Sequence, residues 1–458
     1  MKTVFLSVPT YVYSSDFLHT RFIAALAERC RVVILLPMAA AGYPQHPHVT
    51  YRSWNVQFPR YWNFWGRSIR VPLIRSFDHE PLIQRNYLLS FGHWKRKLLR
   101  RSAFLFPKGF WNPDSIMRFE RLFLPRAPEF ERLVAEHQPA LVVTPTPGFN
   151  DMDAELILLA KRARIPTVAI DFSWDNLTST GKHLRRTDYL ICWTPVLKRY
   201  AETIHRFSPR QIFVSGIMRF DHYFREDNAN LRIDANAANR SREAFLVSKG
   251  LNPAEKTILI TTVTKGNYKD EPTVARDLIA ARDAGRLPGS PNIFIRVHPK
   301  VDNIEEYTDL SRFPRVHVER SGKEVPEIGG MRIELDGDDL VNLKDTLRHA
   351  DVNVNYLSTL SIESCIFDKP VVNIGFPPYY RQWYAASHYK PLVDAGAVKI
   401  AESFDEFVML LARYLREPGQ EAENRRQIVE SHVGFTDGKS YERCAALLAD
   451  IAAKAEQP

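Results

Sequence analysis

The 458-residue chain has 45% apolar and 25% charged residues, a balance typical of a globular protein, and a net charge of +9. Its length exceeds what one hydrophobic core usually serves, so two domains are expected. No run approaches the ~20 apolar residues that span a bilayer, and the first residues, MKTVFLSVPTYVYSSD, are typical of a strand entering a polar loop rather than a signal peptide. The four cysteines are far apart without metal-ligand spacing, which predicts reduced, buried thiols in a cytoplasmic protein.

The N-terminal part of the chain is predicted to be a doubly wound α/β domain. The polar, weakly patterned residues 225–242 mark its end, so the domain spans 1–225. Apolar runs predict buried strands, and the segments between several of them have helical periodicity. The predicted strands are 3–8, 31–37, 48–54, 140–144, 167–171, 189–193 and 211–215, and the predicted helices are 18–29, 151–164 and 195–205.

A basic, aromatic insert at 60–126 interrupts this domain. It holds 14 Lys and Arg against 4 Asp and Glu, a local balance of +10, while the rest of the chain is about neutral. Its centre, HWKRKLLRRSAFLF, places Lys95, Arg96, Arg100 and Arg101 beside aromatic and leucine side chains. This pattern suits a helix at an anionic membrane surface. A solvated helix packed by one face and an acceptor groove for an anionic glycan are the alternatives, and no motif supports nucleic-acid binding.

A second α/β domain is predicted at 243–435, followed by a C-terminal helix at 436–458 that could pack back on the first domain. Its clearest unit is 351–376, with strands at 351–355 and 370–376 and a helix beginning near Leu360. The other predicted strands are 256–262, 293–297, 316–319 and 397–401, and the other predicted helices are 271–284, 338–350, 403–416, 420–431 and 439–455.

The helix that begins near Leu360 is predicted to bind an anion at its N-terminus. A hydroxyl of Ser358 or Thr359 could cap the helix, with Glu363 at capping-box distance. Unsatisfied amides at a helix N-terminus carry a partial positive charge and could hold a phosphate. An ordinary capping box at a βα turn is the other interpretation.

Three loops of the second domain, 261–267, 296–300 and 356–361, should meet at the carboxyl edge of its sheet. The proline after His298 biases this residue to an extended conformation, so its ring can project as a fixed donor. Lys265, beside a glycine, offers a positive charge with open backbone approach. Convergent donors from successive loops predict a site for a diphosphate or a monophosphate ester.

Four short motifs carry a resemblance to a known family. They are RVHPK at 296–300, the Ser358-Thr359 pair with Glu363 and KPVVNIGF, GIMRFD at 216–221 and FTDGKSYERC at 435–444. In their order and spacing the chain, from about 141 onward, resembles GT-B glycosyltransferases of the bacterial surface-polymer branch. This branch includes CDP-glycerol glycerophosphotransferases, polysialyltransferases and capsular Kdo transferases. The resemblance implies an α/β protein of two Rossmann-like domains that face an interdomain cleft.

The resemblance also implies roles for residues of the second domain. His298, Ser358 and Thr359 would hold the phosphates of the donor, and Glu363 would take its ribose hydroxyls. As structural alternatives, His298 could be a strand-end histidine bonded to backbone, and Glu363 a simple cap. The predicted donor site is completed by Lys265, Arg296 and Ser361.

The first domain departs from the family pattern at the predicted base. The glycerophosphotransferases have a Trp-His-Gly loop whose histidine is a proposed base, whereas this chain reads SWDN, and Asp175 takes that position if the loops correspond. An inverting transfer needs a carboxylate or imidazole within reach of the acceptor hydroxyl. Asp171 and His183 are competitors for the role, and Asp175 could instead only cap the turn.

The sequence therefore predicts an inverting, metal-independent glycosyltransferase of capsule or cell-envelope polysaccharide synthesis. A sugar, or with less support a polyol phosphate, would move from a CMP-, CDP- or UDP-linked donor to a bacterial surface glycan or lipid-linked acceptor. Lys265, His298 and helix amides can neutralise the leaving phosphate, so neither a metal nor a cofactor beyond the nucleotide-sugar co-substrate is expected. The enzyme would be cytoplasmic and peripheral on the inner membrane face. A UDP-GlcNAc 2-epimerase-like enzyme and a catalytically silent nucleotide-sugar-binding subunit are the alternatives.

Overall fold

The computed structural model describes most of the chain in two compact units, Met1–Asp221 with Lys439–Pro458, and His222–Gly438. Lys265 and the predicted membrane residues Lys95, Arg96, Arg100 and Arg101 lie outside the described residues. The four cysteines are buried free thiols, as predicted. The described residues are 1–40, 42–54, 56–62, 94, 98, 113–179, 183, 185–228, 231, 239–263, 271–301 and 304–455.

The first unit is built on a seven-stranded sheet with the order β3-β2-β1-β4-β5-β6-β7. All neighbouring strands are parallel, and β1, β4 and β5 are buried throughout, as expected for a sheet covered on both faces. The order reverses between β1 and β4, and ligands of such sheets bind at the carboxyl ends of the strands beside the reversal. The strands are β1 (Thr3–Ser7), β2 (Arg31–Leu36), β3 (Val49–Ser53), β4 (Pro139–Thr144), β5 (Thr167–Ile170), β6 (Tyr189–Cys192) and β7 (Ile212–Val214).

The helices of this unit confirm the predicted alternation but differ at its start. The helix predicted at 18–29 is shorter, at 22–27, and a separate short helix at 14–17 precedes it. Between them the Thr20 hydroxyl donates to the carbonyl of Asp16 at 2.7 Å and accepts the amide of Phe22 at 3.2 Å. The helices are α1 (Ser14–Phe17), α2 (Phe22–Ala27), α3 (Pro113–Phe123), α4 (Pro128–His137), α5 (Asp151–Arg162), α6 (Asn176–Ser179) and α7 (Pro195–Thr203).

The second unit has a six-stranded parallel sheet with the order β10-β9-β8-β13-β14-β15, which reverses between β8 and β13. A separate antiparallel hairpin, β11–β12, was not predicted, since its first strand carries a proline and three charged residues. Its Gly329-Gly330 turn was the available signal. The strands are β8 (Thr257–Thr261), β9 (Asn292–Val297), β10 (Val316–Arg320), β11 (Lys323–Ile328), β12 (Met331–Glu334), β13 (Val352–Asn355), β14 (Val371–Ile374) and β15 (Lys399–Ala401).

The predicted helices of the second unit agree with α9, α11, α12, α14 and α15 to within a few residues, whereas the short helices α8, α10 and α13 were not predicted. They cover the sheet, and a core of Ile, Leu, Val and aromatic side chains from β8, β9, β13, β14 and the helices beside them lies against one face. The helices are α8 (Arg242–Ser248), α9 (Glu271–Asp283), α10 (Glu305–Thr308), α11 (Gly337–His349), α12 (Leu360–Ile366), α13 (Lys390–Asp394), α14 (Phe404–Arg416) and α15 (Ala422–Ile428).

The polar stretch at 225–242 lies with the second unit. Lys344 on α11 donates to the carbonyl of Arg225 and to Asn228 Oδ1, and Arg240 donates to Asp345 Oδ2 at 2.9 Å. The polar character of this stretch therefore reflects its partners on α11.

The last helix, α16 (Ser440–Lys454), packs against α2 in the first unit. Its N-terminus is held by Asp221, whose two carboxylate oxygens accept the amides of Ser440 at 3.0 Å and Tyr441 at 2.9 Å. A carboxylate that accepts first-turn amides stabilises a helix through both hydrogen bonding and the helix dipole. The side chain of Asp221 thereby fixes where α16 begins.

Candidate functional site

The predicted donor residues lie at the carboxyl ends of three adjacent strands of the second sheet. Thr262 follows β8, His298 follows β9 and Ser358 follows β13 in the strand order β9-β8-β13. Because these strands are parallel, the loops after them emerge at the same edge. The structure thus brings the described parts of the three predicted loops to one edge of one sheet.

His298 is held in one orientation and one tautomer. Its backbone amide donates to Thr262 Oγ1 at 2.9 Å, and its ring Nδ1 accepts the amide of Lys300 at 3.0 Å. An imidazole that accepts at Nδ1 carries its proton on Nε2. Burial lowers the pKa of His298 to about 4, with a further lowering by Lys300, so the ring is neutral near pH 7. The ring therefore offers a single Nε2–H donor, and its role in binding a phosphate stays a prediction.

The N-terminus of α12 differs from the predicted capping box. Ser358 Oγ accepts the amide of Leu360 at 3.2 Å, but Thr359 makes no side-chain cap, since its own backbone is already helical. The next three amides, those of residues 361–363, donate to the carbonyls of Ser358 and Thr359. The first-turn amides therefore already have hydrogen-bond acceptors within the chain. The groups of this turn that could bind a phosphate are the hydroxyls of Ser358 and Thr359.

Glu363 lies in the first turn of α12, but its carboxylate does not close the capping box. It accepts a hydrogen bond from the Tyr223 hydroxyl at 2.5 Å, and both side chains are buried. The Tyr223 ring packs edge-on against Phe367, with ring centroids 5.2 Å apart. Tyr223 is a candidate site residue that sequence reasoning missed, although it lies two residues after the GIMRFD motif.

Ser361 faces the protein interior. Its hydroxyl donates to Asn355 Oδ1 at 3.0 Å and lies 2.6 Å from the Tyr389 hydroxyl, which also accepts from Asn373. Asn355 and Asn373 are register partners on β13 and β14. Ser361 therefore belongs to a buried polar layer beneath α12. The sequence indicated this layer through the asparagines that alternate with valines in β13.

Arg296 is engaged with carboxylates. Its buried guanidinium donates to both oxygens of Asp339 at 2.8 Å and forms an ion pair with Glu319. Contact with a donor phosphate would require breaking one of these buried pairs, which is costly. This geometry therefore does not favour the predicted donor role of Arg296. Because side chains alternate along a strand, Arg296 lies on the face of β9 opposite to its apolar neighbours Ile295 and Val297.

In the first unit, Asp171 directly follows β5 and is almost fully buried. Its Oδ1 accepts from Asn176 at 2.9 Å, while its Oδ2 has no hydrogen-bond partner within the described part of the chain. Burial raises the pKa of Asp171 to about 7, and the nearby charge of Asp175 raises it further against the opposing bond from Asn176. A carboxyl with this pKa can exchange a proton near neutral pH.

Asp175 caps the short helix α6. Its carbonyl accepts the amides of Thr178 and Ser179, and its carboxylate accepts the hydroxyls of Ser173 and Ser179. The capping interpretation thus describes its contacts, and its role as a base stays a prediction.

His183, the third candidate base, is buried and stacks on His205 with ring centroids 3.8 Å apart. Burial and the neighbouring His205 lower its pKa well below the ordinary value, so the ring is neutral. Neither ring nitrogen has a hydrogen-bond partner among the described residues. The ring is enclosed further by Phe149 and Phe207.

A second buried carboxylate at the same sheet edge escaped sequence reasoning. Asp153 in the first turn of α5 accepts hydrogen bonds from Ser7 at 2.7 Å, Thr146 at 2.6 Å and Asn150 at 2.6 Å. Burial nevertheless raises its pKa to about 7. Through these three donors Asp153 links the ends of β1 and β4 to α5, so its contacts are those of a residue that stabilises this edge of the sheet.

In the part of the chain that the structure describes, no cluster of three or more His, Cys, Asp or Glu side chains could hold a metal ion. The described donor edge offers hydroxyls and one imidazole N–H, groups that can donate hydrogen bonds to an anion.

Comparison with known proteins relates the chain to a family and a fold. The model of the family described as CDP-glycerol:poly(glycerophosphate) glycerophosphotransferase matches residues 167–450. No curated protein matches the chain. Solved structures with the same fold include a UDP-GlcNAc 2-epimerase from Methanocaldococcus jannaschii, with 14% identity, a TM-score of 0.53 and coverage of 98% of this chain and 100% of that one.

Two further structures support the same fold assignment. The UDP-GlcNAc 2-epimerase from Neisseria meningitidis bound to UDP-GlcNAc has 12% identity, a TM-score of 0.53 and coverage of 99% and 100% of the two chains. A variant of the wall teichoic acid polymerase TagF has 9% identity, a TM-score of 0.52 and coverage of 99% of this chain and 89% of its own. The two parallel sheets and these likenesses confirm the predicted GT-B fold.

Proposed function

The chain belongs to the CDP-glycerol:poly(glycerophosphate) glycerophosphotransferase family, and from this premise we propose that it transfers a sugar or a polyol phosphate from a CMP-, CDP- or UDP-linked donor to a bacterial surface glycan or lipid-linked acceptor. Family membership makes it a glycosyltransferase-type enzyme of cell-surface polymer synthesis. The family's own name favours CDP-glycerol as a donor, so the polyol phosphate stands beside the sugar as a second candidate.

The observation that carries the proposal is the donor edge of the second unit. The Nε2–H of His298 and the hydroxyls of Ser358 and Thr359 emerge at one edge, within the segment that the family model covers. A neutral imidazole donates to a phosphate oxygen without giving up a proton, so it can stabilise the leaving nucleotide throughout the reaction. Lys265 would add a positive charge, and Glu363 would accept the ribose hydroxyls.

In the first unit we assign acceptor activation to Asp171 or Asp175. The resemblance to the family favours Asp175, whereas the raised pKa favours Asp171, since an efficient base titrates near the working pH. The base would remove the proton of the acceptor hydroxyl as this oxygen attacks the donor. His183 is the weaker candidate because its buried ring is stacked on His205.

We also propose that the enzyme works without a metal and at an anionic membrane surface. The described end of the insert includes α3, where Phe119, Leu122 and Phe123 are 49%, 82% and 60% exposed beside Arg118 and Arg121. Each basic residue near an anionic leaflet contributes about 1 kcal/mol, and apolar side chains add shallow insertion. Among the described residues, no helix is long and apolar enough to cross a membrane.

Vesicle flotation tests the membrane proposal. Binding to anionic vesicles should weaken with salt and be lost when the basic residues 95–97, 100 and 101 are changed to Ser. Leu122→Ser should weaken it, whereas Met409→Ser, a change at a 60% exposed apolar residue of the second unit, should not. A protein that stays off anionic vesicles at low salt would instead favour a glycan groove.

A donor panel tests the enzymatic proposal. Nucleotide release is measured with CDP-glycerol and with CMP-, CDP- and UDP-linked sugars, with and without a glycan acceptor, and in EDTA. Acceptor-dependent release that persists in EDTA supports the proposal. Conversion of UDP-GlcNAc to its epimer without an acceptor would establish the epimerase alternative. Tight nucleotide binding without turnover, and unchanged cell-surface polymer in Asp171→Asn and Asp175→Asn strains, would establish the silent subunit.

A further inference from the structure

The buried polar layer beneath α12 contains four side chains that the proposed reaction does not use. They are Asn355 at the end of β13, Ser361 in the first turn of α12, Asn373 in β14 and Tyr389 just before α13, and each is 0% exposed. Polar groups buried this deeply are stable only when they are hydrogen-bonded. The bonds within the layer therefore decide how the segments around it are held.

The hydrogen bonds of the layer run in one direction. Asn373 Nδ2 donates to the Tyr389 hydroxyl at 2.6 Å, and Ser361 Oγ donates to Asn355 Oδ1 at 3.0 Å. The hydroxyl oxygens of Ser361 and Tyr389 lie 2.6 Å apart. Because Ser361 has one hydroxyl proton and donates it to Asn355, the Tyr389 hydroxyl is the donor between them. Tyr389 thus links β14 to the first turn of α12.

Ser361 is bonded on both sides of a strained residue in the loop before α12. Its side chain is bonded to Asn355, and its backbone amide donates to the carbonyl of Ser358 at 3.0 Å. Between these two partners lies Leu357, whose φ is 43°. A leucine in the left-handed region is strained, and such a conformation persists only where the surrounding contacts hold it. The bonds of Ser361 are contacts of this kind.

The layer is not explained by stability alone. Asn355 Nδ2 and Asn373 Oδ1 have no hydrogen-bond partner within the described part of the chain. An unmatched buried donor or acceptor costs free energy, and apolar side chains of similar size would avoid that cost. Apolar packing, however, would not provide directed bonds to Ser361. This comparison favours a role of the layer in fixing the loop.

We propose that Tyr389 is a positioning residue of the donor-phosphate site. Through Ser361 it holds the loop before α12 in the conformation that presents the hydroxyls of Ser358 and Thr359. This inference rests on the proposed function, since it assumes that the phosphates of a nucleotide bind at that edge. Holding hydrogen-bond donors close to their working positions is what gives a preorganised site its affinity.

Tyr389→Phe is the sharpest test, because it removes one hydroxyl and keeps the buried ring. The chain offers a matched control in Tyr384→Phe. Tyr384 lies in the same segment after β14, is 2% exposed, and has its ring centroid 5.4 Å from that of Tyr389. Its hydroxyl donates to the carbonyl of Ile374 in β14 at 2.8 Å. Both variants lose a buried hydroxyl bond, but only Tyr389→Phe loses the bond to α12.

Two measurements on the full chain separate positioning from stability. Calorimetric titration with CDP and UDP should show affinity about fivefold or more lower in Tyr389→Phe and unchanged in Tyr384→Phe. Cytidine and uridine, which lack phosphate, should bind the wild type and both variants alike. Hydrogen exchange in the nucleotide-free protein should accelerate in Tyr389→Phe alone at the amides of Ser361 and Ile362, which donate to the carbonyls of Ser358 and Thr359.

Ser361→Ala provides a second variant, because it removes the other oxygen of the same bond. It should lower the affinity for CDP at least as much as Tyr389→Phe does, since it also loses the bond to Asn355. Adding Tyr389→Phe to Ser361→Ala should cost less affinity than Tyr389→Phe costs in the wild type, because the shared bond is already absent. Ser361→Ala also decides the question if Tyr389→Phe does not fold.

The outcomes are distinguishable. Equal nucleotide affinity and equal exchange in Tyr389→Phe and Tyr384→Phe would overturn the positioning role, as would wild-type affinity in Ser361→Ala. Faster exchange at Ser361 and Ile362 without loss of affinity would show a structural contact that does not serve the phosphates, and would overturn it as well. Wild-type protein that binds neither CDP nor UDP would instead overturn the proposed donor site itself.

Discussion

Replacement of His298 is expected to weaken nucleotide binding through the loss of one donor to a charged phosphate. The ring is neutral and presents only Nε2–H, because Nδ1 is occupied by the amide of Lys300. A hydrogen bond to a charged group contributes about 1.5–3 kcal/mol, so His298→Ala should raise the Kd for CDP by about 10- to 100-fold. The backbone bond to Thr262 does not involve the ring and should remain.

The matched variant for this position is His298→Gln, whose side-chain amide can place an N–H where the imidazole has Nε2–H. Its Kd should lie close to that of the wild type. Isothermal titration calorimetry at several pH values provides the assay. Because the pKa of His298 is lowered to about 4, the ring stays neutral between pH 6 and 8, and its contribution to the Kd should not change over this range.

Two results would refute this reasoning. Unchanged affinity in His298→Ala would place the phosphates elsewhere. An affinity that rises as the pH falls through 6.5 in the wild type, but not in His298→Gln, would mean that the ring binds as a cation and that its pKa is far above 4.

Three further predictions follow from other residues. If Asp171 is the base, turnover should rise with pH through about 7 and level off above it, since the carboxyl must lose its proton to act. Asp171→Asn should abolish turnover, while Asp175→Asn keeps turnover and moves its rise to lower pH, because the charge of Asp175 raises the pKa of Asp171. Tyr223→Phe should reduce the preference for CDP over 2′-deoxy-CDP in calorimetry, because the carboxylate that would meet the ribose loses its buried donor. Arg185→Met should cost about 3–5 kcal/mol of unfolding free energy in urea titration, since it removes both hydrogen bonds and the countercharge that Arg185 gives to the buried Glu120 carboxylate, whereas adding Glu120→Leu should restore much of the loss.

Each of these predictions has a clear contradictory result. A pH profile that disappears in Asp175→Asn and survives in Asp171→Asn would return the base role to Asp175. A preference for the ribonucleotide that is unchanged in the Tyr223 variant would separate Tyr223 from ribose recognition. An Arg185 variant as stable as the wild type would mean that the buried pair is relieved by local rearrangement.

The alternation of strands and helices could be read from the sequence because it depends on local patterns. β8 is a short apolar run, β13 places Val352 and Val354 on one face, and the helix at Leu360 begins where its preceding hydroxyls indicated. The hairpin at 323–334 was missed because its first strand is mostly exposed and neither strand has an apolar run. Local periodicity thus identifies elements that bury a face and overlooks those that do not.

The candidate site was only partly predictable for a different reason. His298 was identified because its proline neighbour is adjacent in sequence, but the partners of Glu363 and Arg296 are set by the fold. Tyr223 lies 140 residues from Glu363, and Asp339 lies 43 residues from Arg296. Sequence alone names polar residues at strand ends; which of them pair with each other, and so cease to be available to a ligand, depends on contacts between distant segments.

The capping of α16 by Asp221 has a topological consequence. The first unit consists of Met1–Asp221 and Lys439–Pro458, and Asp221 is hydrogen-bonded to the first turn of α16 in the second of these segments. The 217 residues of His222–Gly438 therefore begin and end at neighbouring positions. In terms of chain connectivity, the second unit is an insertion into the first. A short glycine linker from Asp221 to Lys439 could therefore replace the second unit. In the resulting shorter chain, α16 would still pack against α2. The chain passes between the two units only at these two adjacent junctions.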